Sequence, residues 1–262
     1  MRLFTKLKYS VPIFFFLFTS IAILTAFSSE ETEVEKVESQ IKKNLEERQS
    51  VAKIITPHIK KNQFPTEIEF ALKENASQEK YSVEYNLDSR LQKEADGLFK
   101  RYKPDYGAVV LMEATTGKIL ALSSFQKDDQ KAPNLALRAS YPAASLFKII
   151  TASAAVEKAG VSPYHTIYFN GGNYTLYKKN VMSDKVTKWT RKITLKEAFA
   201  RSINTAFGRL SLEKLEPTDL LEFANRFMFN QEIPADFEVE KGNAIVPLEK
   251  GFELTEVASG YN

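Results

Sequence analysis

The sequence predicts a mixed α/β domain of the α+β type, preceded by an apolar N-terminal segment and a charged helix. Three observations carry that expectation. Residues 106–124, YGAVVLMEATTGKILALSS, set two apolar, β-branched runs on either side of an Ala-Thr-Thr-Gly turn, the pattern of a β-hairpin. Residues 144–160, ASLFKIITASAAVEKAG, are apolar on nearly every side of a helical projection and stop at Gly160, so they read as a buried helix with a glycine C-cap. Strand, helix and hairpin followed by several helices also lack the regular βαβ alternation of a doubly wound sheet.

The elements follow in order. The chain has 262 residues, 44% hydrophobic and 12% aromatic, enough to fill a core. Its net charge is +3, and Arg2, Lys6 and Lys8 supply three positive charges before any acidic residue appears. The remainder is formally neutral, which argues against nucleic acid as the main partner. Residues 9–29 carry no charge and match the roughly 20 apolar residues that span a bilayer as a helix. With basic residues before it and the acidic run SSEETEVE after it, this segment is expected to be a single transmembrane anchor. The N-terminus would then be cytoplasmic and the body would lie on the extracytoplasmic face of the cytoplasmic membrane. A cleaved signal peptide is disfavoured, because the apolar stretch is long and no Ala-x-Ala site closes it. Cysteine is absent, so neither disulfides nor thiolate metal sites enter. His58 and His165 sit in no motif and read as structural residues.

From Glu30 to Lys61 the chain is dense in Glu, Lys and Arg, with Val34, Val37, Ile41 and Leu45 at helical spacing. Asn44 and Arg48 interrupt any heptad seam, so this is expected to be a helical stalk with a solvated charged face. KNQFPTEIEF and KENASQEK read as a linker punctuated by Pro and Asn. The expected division is therefore an anchor at 1–29, a charged stalk and linker at 30–80, and the folded body at 81–262. The body opens with the alternating strand pattern YSVEYNL, then a helix bearing Leu91, Ala95, Leu98 and Phe99 behind a cap at Asp88.

The chemistry-bearing candidate is Ser145 with Lys148. Ser-x-x-Lys occurs six times, beginning at Ser39, Ser50, Ser77, Ser124, Ser145 and Ser211, so the tetrad alone says little. Context separates them. Only the Ser145 copy stands where a Pro-led turn enters an apolar helix, with its lysine flanked by Phe147 and Ile149. Residues three apart on a helix face the same side, with Cβ atoms roughly 5–6 Å apart. A serine needs a base to become a nucleophile, and burial lowers a lysine pKa toward that use. Unpaired N–H groups of the first helical turn can also face a developing oxyanion. Serine is equally a favoured helix cap and lysine can snorkel, so on the local sequence both readings stand. A second stretch, KITLKEAFARSINTAFGRL, opens with Thr194 and Glu197 at capping-box spacing and presents Ser202 and Asn204 at a junction between helices. Their hydroxyl and amide are placed to hold the lysine and a substrate amide. Tyr168-Phe169-Asn170 competes for that role.

Together these segments resemble the transpeptidase domain of penicillin-binding proteins, whose motif set is Ser-x-x-Lys, Ser-Asp-Asn and Lys-Thr-Gly. The resemblance covers most of residues 81–262. LDSRLQKEAD is similar to the family's strand-to-helix entry, YGAVVLMEATTGKILALSS to its first hairpin, YPAASLFKIITASAAVE to its nucleophile segment and ITLKEAFARSINTAFGRL to the segment bearing its second motif. The resemblance implies the penicillin-binding-protein/β-lactamase-like fold, an antiparallel sheet with a helical subdomain. It makes Ser145 the acylated nucleophile, Lys148 its base, and Ser202 and Asn204 the second-motif residues. The implied reaction is cross-linking of peptidoglycan stem peptides through an acyl-serine, with β-lactams as inhibitors and no cofactor. The cytoplasmic membrane and, through the stalk, cell-wall assembly proteins are the other expected partners. Ala143 and Ala144 replace the Pro-Gly usual before the serine, and no Lys-Thr-Gly or Lys-Ser-Gly occurs. The fold is therefore expected to be incomplete, the chain being the N-terminal part of a transpeptidase. The alternatives are a β-lactamase or β-lactam sensor of the same fold, a noncatalytic cell-wall assembly protein, and, last, an unrelated Ser/Lys peptidase such as a signal peptidase.

Overall fold

The computed structural model describes residues 11–70, 78–128 and 133–261, with the backbone alone for 11–32. The described chain divides into two units, one of residues up to Thr56 together with Pro234–Phe237, the other of Pro57–Ile233 and the residues from Glu238 onward.

The first unit is dominated by one helix, α1 (Val11–Ile55). Val34, Val37 and Ile41, the apolar stripe expected of the stalk, are all more than half exposed. Among the described residues no helix is long and apolar enough to cross a membrane. The expected transmembrane helix at 9–29 therefore finds no support in the structure. Residues 9 and 10, and the side chains of 11–29 on which a span would rest, lie outside the described residues.

The second unit begins with structure where a linker was expected. Strand β1 (Glu67–Phe70) pairs antiparallel with β2 (Glu79–Ser82), Glu67 opposite Ser82 and Phe70 opposite Glu79. Phe70 and Tyr81 stack with ring centroids 4.2 Å apart. Asn62 stands in a turn as its type suggests, but the pairing that makes residues 67–70 and 79–82 strands comes from a partner segment elsewhere in the chain. Helix α2 (Ser89–Tyr102) starts at Asp88, whose carboxylate accepts from the backbone N–H groups of Arg90 and Leu91 at 2.8 and 2.9 Å. These bonds, that to Leu91 foremost, hold the Asp88 pKa below its ordinary value.

The expected hairpin follows as β3 (Tyr106–Met112) and β4 (Ile119–Gln126), antiparallel from Tyr106 opposite Gln126, with an irregularity at Leu111 and Met112. Its turn uses Gly117 at φ 73, a left-handed conformation that suits glycine. Helix α2 lies against β4. Gln92 accepts from the Leu122 N–H at 2.9 Å and donates to the Leu122 carbonyl at 3.1 Å, extending the ladder with a side chain.

The remaining elements build a helical core. They are α3 (Phe147–Glu157), β5 (Thr166–Phe169), α4 (Lys178–Val181), β6 (Arg191–Thr194), α5 (Leu195–Ala200), α6 (Asn204–Lys214), α7 (Pro217–Arg226) and α8 (Phe252–Ser259). Strands β5 and β6 pair antiparallel, turning Ile167 and Ile193 inward. Phe147, Ile150 and Ala154 of α3, Phe207 and Leu210 of α6, Phe223 of α7 and Leu254 and Val257 of α8 belong to one buried cluster. Its apolar burial is the main term holding the helices around α3.

Candidate active site

Ser145 lies in a 3₁₀ turn, Ala144–Leu146, that runs directly into α3. Its side chain does not cap the helix. Instead Lys148 Nζ, one turn on, donates to Ser145 Oγ at 2.9 Å. The serine is exposed while the lysine is 1% exposed, so an accessible hydroxyl is backed by a desolvated amine. Burial lowers the Lys148 pKa from its ordinary 10.5 to about 8. At pH 7 roughly a tenth of such amines are neutral, against roughly one in three thousand at the ordinary value. A neutral Lys148 can accept the hydroxyl proton of Ser145.

What buries the lysine comes from the far end of the chain. Lys148 Nζ also donates to the Ser259 carbonyl at 2.8 Å, and Thr151 Oγ1 donates to the Ala258 carbonyl at 2.8 Å. These carbonyls end α8, where a helix leaves its acceptors unpaired. Two polar side chains three apart on α3 therefore cap α8, and the Phe207 ring lies 5.9 Å from Nζ. Gly260 follows at φ 83. A Cβ there would run into the Ala144 carbonyl, so only glycine lets the two segments approach.

Ser202 and Asn204 stand at the α5–α6 junction as expected, behind Thr194, whose hydroxyl accepts from the Glu197 N–H at 3.2 Å. Neither is hydrogen-bonded to Lys148. The link runs through Ser259, whose hydroxyl donates to the Asn204 carbonyl at 2.9 Å. The Asn204 amide donates to the Tyr174 carbonyl and, at 3.2 Å, to Tyr261 Oη, which itself donates to the Tyr174 carbonyl at 2.7 Å. The Ser202 hydroxyl has no hydrogen-bond partner among the described residues and is half-buried. Asn170, the competitor for this role, is committed elsewhere: its amide donates to the carbonyls of Ser183 and Lys185 and accepts from Thr190.

Two non-glycine residues beside the site take left-handed conformations, Ala144 at φ 47 and Ser202 at φ 51. Such a conformation costs a residue with a Cβ about 1–2 kcal/mol. The Ala-Ala in place of Pro-Gly thus keeps the turn at the expense of strain. Sequence reasoning missed Ser259, Gly260, Tyr261 and Thr151. The available signals were polar residues at i and i+3 in an otherwise apolar helix, and small residues before a glycine at a helix end.

The family model of the penicillin binding protein transpeptidase domain matches residues 107–261, more than half of the chain. The chain belongs to that family. Over 185 residues it is 27% identical to the stage V sporulation protein D of Bacillus subtilis (strain 168), covering 65% of this chain and 28% of that protein. Over 164 residues it is 30% identical to the peptidoglycan D,D-transpeptidase PbpA of Mycobacterium tuberculosis, covering 50% of this chain and 32% of that protein. The chain thus spans about a third or less of the length of these curated relatives. Among solved structures it superposes on penicillin-binding protein A of M. tuberculosis, captured as an imipenem acyl-enzyme complex. The TM-score is 0.54 at 25% identity, over 68% of this chain and 47% of that one. The D,D-transpeptidase domain of an Eggerthella lenta peptidoglycan glycosyltransferase gives a TM-score of 0.51 at 28% identity, over 66% and 45%. The mixed α/β fold read from the sequence is therefore that of the transpeptidase domains.

Proposed function

We propose that this chain carries the acylation machinery of a membrane-anchored, penicillin-binding D,D-transpeptidase that cross-links peptidoglycan stem peptides. The observation that carries the reading is the buried Lys148 amine 2.9 Å from the exposed Ser145 hydroxyl at the mouth of α3. Neutral Lys148 takes the Ser145 proton as Oγ attacks the penultimate D-alanyl carbonyl. The O–C bond forms, the peptide C–N bond breaks, and the proton passes to the departing D-alanine amine. An amine of a neighbouring strand then attacks the ester and returns Ser145 to its hydroxyl form. Ser202 and Asn204 line the other side of the site, with the Ser202 hydroxyl free to meet substrate. A β-lactam acylates Ser145 on this reading, in keeping with the imipenem acyl-enzyme complex of the M. tuberculosis relative.

Anchoring is supported by the uncharged stretch at 9–29 preceded by Arg2, Lys6 and Lys8, which orients the body outward. The charged helix from Glu30 serves as the spacer, and the body it carries begins ahead of residue 81, where the β1–β2 pair already belongs to its ordered structure. The test is the intact mass of the protein from its own cells, with and without benzylpenicillin, followed by peptide mapping. One adduct on Ser145 is expected; no adduct defeats the reading.

A further inference from the structure

Residues 168–192 form a lobe that the acylation chemistry does not use. They hold six cationic side chains, Lys178, Lys179, Lys185, Lys188, Arg191 and Lys192, and one carboxylate, Asp184. This stretch alone exceeds the +3 of the whole chain. All six cations are exposed, and none pairs with a carboxylate among the described residues. Asp184 faces the largely buried Arg209 at 2.8 Å, so the one negative charge is already compensated. Four rings stand in the open among these cations: Tyr168, Tyr174, Tyr177 and Trp189, 53%, 59%, 57% and 76% exposed. Tyr168 and Lys192 are cross-strand neighbours on the outward face of β5–β6, and Lys188 Nζ sits 5.1 Å from the Trp189 ring centroid.

A run of surface lysines is ordinary solvated protein. This lobe differs in lacking acidic partners, in exposing large rings, and in being held rigid. Asn170 staples Ser183, Lys185 and Thr190 together, and Arg209 Nη1 donates to the Val181 carbonyl at 3.1 Å. Thr205 of α6 holds the Gly172 carbonyl. The lobe is also joined to the site, because Asn204 and Tyr261 both donate to the Tyr174 carbonyl. Concentrated unpaired charge steers an oppositely charged partner, and an exposed apolar patch within it marks a contact surface.

We propose that this lobe docks the substrate polymer itself: a glycan strand carrying carboxylate-bearing peptides, with carboxylates on the cations and sugar rings on the exposed aromatic faces. The proposal rests on the transpeptidase reading above and extends it from the reacting peptide to the strand that bears it. A small β-lactam needs only the immediate surroundings of Ser145, whereas a polymer is long enough to engage the lobe as well.

Two variants of the full chain test it. One combines Lys178→Gln, Lys179→Gln, Lys185→Gln, Lys188→Gln and Lys192→Gln; the other combines Tyr177→Ala and Trp189→Ala. Co-sedimentation with purified insoluble peptidoglycan is expected to weaken at least about tenfold in the charge variant, with a shallower salt dependence, and several-fold in the ring variant. Benzylpenicillin acylation of Ser145 stays within about twofold in both, which also shows that they are folded. Unchanged co-sedimentation in both variants overturns the docking proposal and leaves the transpeptidase reading intact. Loss of binding to phosphatidylglycerol vesicles or to a single-stranded oligonucleotide, with polymer binding kept, also overturns it in favour of a membrane or nucleic-acid surface. Absence of a penicillin adduct on the unaltered protein defeats the transpeptidase reading separately, because co-sedimentation alone judges the lobe.

Discussion

Ser145–Lys148 at the mouth of α3 and Ser211–Lys214 near the end of α6 are the same four-residue pattern on two helices of one core, with burial inverted. In the first, the serine is exposed and the lysine is 1% exposed; in the second, the serine is 0% exposed and the lysine stands in solvent. Ser211 spends its hydroxyl on the Gly208 carbonyl at 2.8 Å, an ordinary back-bond within a helix. Lys148 is desolvated and directed at its serine, and its pKa falls to about 8. On the proposed reading, reactivity follows which end of the tetrad is dry, since the spacing is common to both.

The comparison can be broken most sharply by removing the base. Ser145→Ala should abolish the covalent penicillin adduct, and Lys148→Met should slow acylation about 10²- to 10⁴-fold, the usual contribution of a general base. Lys214→Met, the same change on the inverted tetrad, should leave the rate untouched; stopped-flow labelling with a fluorescent penicillin measures all three. The pH profile sharpens the same contrast. If Lys148 is the proposed base, its neutral form is the active one, and the acylation rate should rise about tenfold per pH unit below pH 8 and level off above it.

Burying the ammonium also has a stability consequence. The folded-state pKa of Lys148 is depressed, so the folded state binds fewer protons than the unfolded chain between pH 8 and 10.5. Stability therefore rises with pH across that window, and below it the fold carries a penalty of about 3 kcal/mol. Lys148→Met removes the penalty but loses two hydrogen bonds worth about 1 kcal/mol each. The variant should melt above the unaltered protein at pH 7, with the advantage vanishing as the pH is raised toward 10; calorimetry at several pH values decides.

Two smaller substitutions probe the turn before the serine. Gly260→Ala places a Cβ against the Ala144 carbonyl and strains a backbone at φ 83, so a loss of about 2 kcal/mol and slower acylation are expected. Ala144→Gly relieves the left-handed alanine and should gain up to about 1 kcal/mol by chemical denaturation, with acylation retained.

Much of the local structure was legible in advance. The β3–β4 hairpin, the Asp88 and Thr194 caps, the helix after Ser145 and the Ser202–Asn204 junction all stand where periodicity and capping chemistry put them. The β1–β2 pair was only half legible: the strand expected over 81–87 forms as β2 at 79–82, and β1 was hidden because a strand four residues long is made by its partner rather than by its own composition. The basic lobe was not legible. A chain that is formally neutral after Lys8 conceals six cations, none paired with a carboxylate among the described residues, within 25 residues when its acidic residues lie elsewhere.

The sequence by itself determined that Ser145 and Lys148 share one side of an apolar helix, since 3.6 residues per turn place i and i+3 together whatever surrounds them. It also determined the family, through the order of segments around that tetrad. Only the tertiary structure decided what holds the lysine. The carbonyl of Ser259, 111 residues away, takes the hydrogen bond expected of Ser202 and Asn204, and Asn204 turns its amide to Tyr174. The physical reason is range: turns and helix faces are set by neighbours in the chain, whereas desolvation and the pairing of orphan carbonyls depend on which distant helix end is packed alongside.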